Sequence, residues 1–208
     1  RAAARQLLDF EAGLLEMCYA GGRAAAIEEA HGMLRLIEIV QEAYQPPLLA
    51  ALQRLHEAAR GAAAARHHAT RDSLRTRHPE VLGLPEKLIA DGAVPCSTVL
   101  EASWLYAAAV DECRKLPSRP TAAAKLGCLV EATKKLAAAT AGRTSELSAD
   151  DLVPLTAMLL VAAALPSLDF EAYVLAELLA DALATGPEAY CVCTMQVAAG
   201  FLAEVVVV

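Results

Sequence analysis

Ser148-Ala-Asp-Asp-Leu-Val-Pro-Leu-Thr-Ala-Met-Leu-Leu-Val-Ala-Ala-Ala164 is the stretch whose reading decides the fold. Ser148 is a strong N-cap residue, and Asp151 three places on can close a capping box with it. Asp150 and Asp151 both fall in the first turn, where the positive end of the helix dipole favours carboxylates. Pro154 donates no backbone N–H and leaves the carbonyl of Asp150 without its helical partner. A helix beginning at Asp150 carries little strain from this, and one beginning at Ala149 has a distorted first turn. From Leu152 to Leu168 there is no charge. That run is interrupted by two prolines and falls short of the ~20 residues a membrane span needs. It reads as a buried core helix.

Working outward, the chain has 208 residues, is 56% hydrophobic and only 4% aromatic. Alanine and leucine, both strong helix formers, dominate the apolar content, which points to an all-α protein. A net charge of −7 argues against broad nucleic-acid binding. The basic residues clustered between Arg60 and Arg77 read as a solvated helix face. Six scattered cysteines and no secretory signal suit buried free thiols in a reducing compartment. Cys191-Val-Cys193 has no second pair, so no metal site is expected. The start at Arg1, without methionine, suggests an excerpt of a longer chain.

Toward the N-terminus, Leu7, Phe10, Leu14 and Cys18 share one helix face, which Gly21-Gly22 ends. A second helix is expected from about Arg23 to Tyr44, stopped by Pro46-Pro47. A third places Leu48, Leu52, Leu55 and Ala59 on one side and continues through Gly61 to Arg77. Together these suggest an antiparallel N-terminal bundle over residues 1–77. His31, His56, His67 and His68 have no acidic or cysteine partner at ligand spacing and read as surface or packing residues.

The prolines and glycines between His78 and Pro95 read as a connector or as a loop region packed on a neighbouring domain. A helix is expected from Ser97 or Thr98 through Val110, broken by Leu116-Pro117-Ser118-Arg119-Pro120. Another runs from about Thr121 to Ala139, with Leu126, Leu129, Val130 and Thr133 or Leu136 inward. Phe170 to Leu183 and a final helix led in by Gly186-Pro187 complete the set. No glycine-rich phosphate loop and no Gly-x-Ser-x-Gly nucleophile motif occurs, so bond-making chemistry on a substrate is poorly supported. No cofactor is expected.

Several segments together resemble the Vps-nine (vacuolar protein sorting nine) domain family. They are Lys125-Leu126-Gly127-Cys128-Leu129-Val130-Glu131-Ala132, the acidic pair and proline of Ser148 to Pro154, Gly186-Pro187-Glu188-Ala189-Tyr190, and Phe201-Leu202. His78-Pro79-Glu80-Val81-Leu82-Gly83-Leu84-Pro85 is a weaker match to the lead-in. The resemblance implies an N-terminal helical bundle packed on a layered helical exchange domain, 78–208. It implies guanine-nucleotide exchange on a Rab-five-type small GTPase, GDP-bound or nucleotide-free. It also implies a cytoplasmic protein recruited to early endosomes, peripheral to the membrane. By the same resemblance Asp150 is an acidic finger that replaces phosphate charge in the emptied nucleotide site. Asp151, Pro154, Tyr190 and Thr194 join it in GTPase binding. One position departs: the family usually has threonine three residues after the tyrosine, where Cys193 stands here, with Thr194 one later. Two readings stand beside exchange: a module that binds a GTPase or scaffolds a complex without accelerating exchange, and a plain helical adaptor.

Overall fold

The computed structural model describes residues 30–89, 96, 106–141, 147–178 and 186–204, together with Gly13. Six α-helices carry the architecture: α1 (Ala30–Arg75), α2 (Ala107–Cys113), α3 (Ala122–Thr140), α4 (Ala149–Ala163), α5 (Leu168–Leu178) and α6 (Pro187–Glu204). Short 3-10 turns at Pro79–Leu82, Glu86–Leu88 and Leu116–Ser118 join them. The protein is all-α, with no strand among the described residues.

α4 sits at the centre because it has no solvent-tolerant side. Leu155 through Ala163 are all buried, and a helix that is apolar all round has to be enclosed. α1, α2, α6 and the Pro79–Leu82 turn enclose it. α3 packs on α2 and α6, and α5 packs on α1, α3 and α6. α4 ends at Ala164, which takes the left-handed conformation at φ 52°. The turn through Leu165, Pro166 and Ser167 then starts α5.

Two expectations for the N-terminal half change. Pro46-Pro47 does not stop a helix: both lie inside α1, which runs unbroken for 46 residues. The lost backbone bonds of that turn are offset by anchorage on the domain. The buried Gln45 side chain accepts from the backbone N–H of Ala122 (3.0 Å), at the N-terminus of α3. Leu49 packs with Ala122, Phe170, Val174 and Leu178 in a second core cluster. The inward face is also different. Leu55 is 66% exposed and Ala59 is exposed. Leu48 and Leu52 are half-buried against the second core cluster, as expected, and the face toward the domain also carries Gln45, Leu49, His56, His67, Arg71 and Leu74. The residues expected to form the first helix, Leu7 to Cys18, lie outside the described residues, as do the Gly21-Gly22 break and the segment from Ser97 to Leu105.

Charged groups tie the remaining helices. Lys125 on α3 and Glu171 on α5 form an ion pair of 2.7 Å, with side chains 3% and 4% exposed. Lys125 Nζ also donates to the Leu116 carbonyl (2.9 Å). Its burial rotates the inward stripe of α3 to Lys125, Cys128, Leu129, Ala132 and Leu136, and leaves Leu126 and Val130 half-buried. Glu112 on α2 receives Lys115 (2.9 Å) and Lys135 (2.6 Å), with Arg119 at 3.8 Å. Hydrogen bonds from Lys135 and Lys115 hold its carboxyl down to about 2, against the usual 4.5. Because the folded value lies below the unfolded one, the unfolded chain binds the extra proton between them. The Glu112 contribution is therefore complete above about pH 5 and is lost as pH falls toward 2. Urea denaturation of Glu112→Gln should show lower stability than the parent at pH 7, and the gap should close progressively below about pH 5.

Candidate functional site

The start of α4 is where an otherwise enclosed helix reaches solvent. Ser148 is its N-cap: its Oγ accepts from the Asp151 backbone N–H (3.1 Å) and donates to Asp151 Oδ2 (2.9 Å). The Ser148 backbone N–H reaches the same Oδ2 at 3.4 Å, so the capping box is closed from both sides. Lys87 Nζ lies 3.9 Å from Asp151 Oδ2, and the Asp151 side chain is 15% exposed. The two neighbouring aspartates thus have different positions. Asp151 is turned back into the helix start, and Asp150 is exposed, with no cation pairing with it among the described residues.

The helix begins at Ala149, so Pro154 sits inside it and leaves the Asp150 carbonyl without an i+4 donor. Pro154 is half-buried, as is Val153, while Leu152 and Leu155 are buried in the main core. The two leucines fix α4 against Cys191, Val192 and Met195 of α6, which lie in the same cluster.

α6 carries the other candidates. Gly186, at φ 109°, makes the turn that only glycine takes without strain, and Pro187 occupies the first helical position, where no N–H is needed. Tyr190 is 49% exposed. Thr194, expected among the partner-facing residues, is buried at 7%. Its hydroxyl donates to the Tyr190 carbonyl one turn back (2.8 Å). Cys193 is the exposed neighbour. No register shift presents Thr194, because α6 is an uninterrupted helix from Pro187 to Glu204. Cys191 is buried and Cys193 exposed, so the two thiols of Cys-Val-Cys point apart, as i, i+2 positions on a helix must.

The face of α6 that bears Tyr190 and Cys193 continues through Val197 (51% exposed) and Phe201 (36% exposed). In the sequence Phe201 stands at an apolar helix end, with nothing local to mark it as exposed. The i, i+3, i+7, i+11 spacing was the available signal, but α6 is apolar on its buried side as well, so periodicity could not say which side is open.

Three polar links join residues that no local sequence pattern relates. His67 Nδ1 lies 2.9 Å from both carboxylate oxygens of Asp169. The buried Arg71 guanidinium donates to the Leu165 carbonyl. Lys125 and Glu171 form the buried pair described above. The cluster from Arg60 to Arg77 is accordingly solvent-facing only in part. His67 and His56 have specific neighbours: the His56 ring stacks edge-on against Phe170 at 5.7 Å, and burial pushes its pKa down. The partners in the three polar links are 46 to 102 residues away in sequence, beyond any local spacing rule.

Residues 106–206 match the family described as Vacuolar sorting protein 9 (VPS9) domain. A comparison with curated proteins gives no match. The matched segment begins at Tyr106, which is fully buried and donates its hydroxyl to the Leu88 carbonyl (2.7 Å), and it runs through both elements of the candidate site. The chain therefore carries a VPS9 domain, and with it a function of the guanine-nucleotide exchange type and a small GTPase as partner.

If the capping box is what holds Asp151, Ser148→Ala should destabilise the fold by about 1 kcal/mol. Asp150→Ala should stay within about 0.5 kcal/mol of the parent. Urea midpoints of the two variants decide this.

Proposed function

We propose that this VPS9 domain promotes GDP release from a Rab-five-type small GTPase and that Asp150 is its acidic finger. The observation that supports the reading most is the division between the two aspartates. The capping box uses Asp151, and Asp150 is left exposed in the first turn of a helix. A carboxylate there can approach the partner's phosphate-binding lysine as GDP and magnesium leave. It then replaces the lost phosphate charge and stabilises the nucleotide-free intermediate. No covalent bond of a substrate changes. Pro154 and Tyr190 meet the opened switch regions of the GTPase, with Val197 and Phe201 extending the apolar contact along α6. Asp151 and Thr194 act through their neighbours, the first by fixing the helix start and the second by holding the Tyr190 carbonyl.

The organisation that goes with this reading is a helical support over residues 1–77 and an exchange domain over 78–208. No helix among the described residues is long and apolar enough to cross a membrane. Recruitment to early endosomes would come through the GTPase and other partners.

The decisive measurement is GDP release from a panel of Rab proteins. Asp150→Ala should lower the accelerated rate by about two orders of magnitude while complex formation persists. A variant as fast as the parent would remove the finger assignment. A parent that binds a GTPase without speeding GDP release would support the binding-module reading. Cys193 favours that second reading, because a thiol is exposed where the family resemblance places a hydroxyl, and thiols are weak donors. Cys193→Thr should restore a contact of about 1 kcal/mol and raise the exchange rate roughly five-fold.

A further inference from the structure

A cavity of about 430 Å³ opens between α1, the Leu116–Ser118 turn and the corner joining α4 to α5. It lies within the range of small-ligand pockets, roughly 300–1000 Å³. The residues assigned to exchange above do not line it. Its walls are apolar and stiff: Leu49, Ala50 and Phe170, with Pro46, Pro117 and Pro166.

Most polar groups of the lining are already engaged. Gln53 Nε2 donates to Glu57 (2.9 Å) and Ser167 (3.1 Å), which uses both of its protons. The Ser167 hydroxyl goes to Glu57, and the Ser118 hydroxyl goes to the Lys115 carbonyl. The remaining donor capacity is cationic. Lys125 Nζ, with its side chain 3% exposed, has three protons and directs two of them, to Leu116 and Glu171. The Arg119 guanidinium, 41% exposed and 3.8 Å from Glu112, has five donors.

The charged lining groups are Arg119, Lys125 and Glu171; Lys125 is paired with Glu171, whereas Arg119 shares Glu112 with the closer Lys115 and Lys135, so its charge is only partly offset. A second negative charge would sit against Glu171, whose carboxyl burial already pushes up. The site therefore suits an anion, with the Glu171 carboxylate opposing a second negative charge beside it.

We propose that this cavity binds a carboxylate carried on a short apolar body. The carboxylate accepts from Lys125 and Arg119, and the body lies against Leu49, Ala50 and Phe170. Such a ligand would bridge α1 and the α3–α5 corner. The carboxylate can belong to a free short-chain acid or to the end of a polypeptide whose last residue is apolar.

The test is thermal denaturation and calorimetric titration of the whole 208-residue chain with four probes: hexanoate, 1-hexanol, acetyl-Ala-Val-Leu with a free carboxylate, and its C-terminal amide. At least one of the two carboxylates should raise Tm in a concentration-dependent way, and hexanol and the amide should not. A response to hexanoate identifies a free acid as the source, and a response to the peptide acid alone identifies a chain end. Ala50→Trp fills the cavity from an exposed position on α1 and should abolish the response. Arg119→Ala should weaken it roughly ten-fold. Val81→Ser, at an exposed apolar residue that neither lines the cavity nor belongs to the exchange surface, should leave it unchanged and so controls for adventitious apolar binding. Absence of any shift at millimolar carboxylate, equal shifts with hexanol or the amide, or an unchanged response in Ala50→Trp would each overturn the proposal.

Discussion

The enclosure of α4 is the constraint from which the rest of the arrangement follows. Leu155 through Ala163 are buried on every side, and each of the larger side chains among them loses roughly 1.5–3 kcal/mol if it is left in water. A single neighbouring helix cannot cover such a cylinder. α1, α2, α6 and the Pro79–Leu82 turn all lie against it, and their mutual positions are set by the need to close around it. The helix still has to begin somewhere, and its first four N–H groups need acceptors. That is why the polar, acidic residues gather at Ser148, Asp150 and Asp151, and why the candidate site lies where the central helix emerges.

Charge and hydrogen bonding then choose among the packings that burial alone would allow. A buried ion pair such as Lys125–Glu171 is weak evidence for stability, because desolvation opposes the attraction. Its geometric effect is direct: it fixes α3 against α5, and the Leu116 carbonyl fixes the same ammonium to the preceding turn. Glu112 does the corresponding work at the other end, joining α2 to α3 through Lys135. α1 is held on the domain in the same manner, by Gln45 on the Ala122 N–H, His67 on Asp169 and Arg71 on the Leu165 carbonyl. Its inner face is consequently more polar than hydrophobic periodicity would suggest, which explains why Leu55, and not His56 or His67, faces solvent.

The candidate site was legible where its logic is local. The capping box at Ser148, the proline inside the first turns of α4, and the Gly186-Pro187 entry to α6 each follow from residues within a few positions of one another. So does the resemblance that led to the VPS9 family, because it rests on short ordered segments. The division between Asp150 and Asp151 was not legible in full. Asp151 stands at the capping-box position in the sequence, but that Lys87, from another turn, lies beside it while Asp150 stays exposed is decided by packing. The same holds for Cys193 and Thr194: adjacent in sequence, they differ by 100° around a helix, and only the packing of α6 decides which of them is buried.

The sequence by itself determined that the chain is helical, which helix is central, where that helix starts, and which family its C-terminal half belongs to. These depend on propensity, capping and patterning over short windows, and such windows are contained in the sequence. The tertiary structure decided that α1 passes through Pro46-Pro47, which face of it meets the domain, where Lys125 finds its carboxylate, and which of the paired candidates remains in solvent. Each of those outcomes depends on a partner tens of residues away. The free energy of burying a lysine or continuing a helix across two prolines is set by that partner, and not by the residue's own neighbours in the chain.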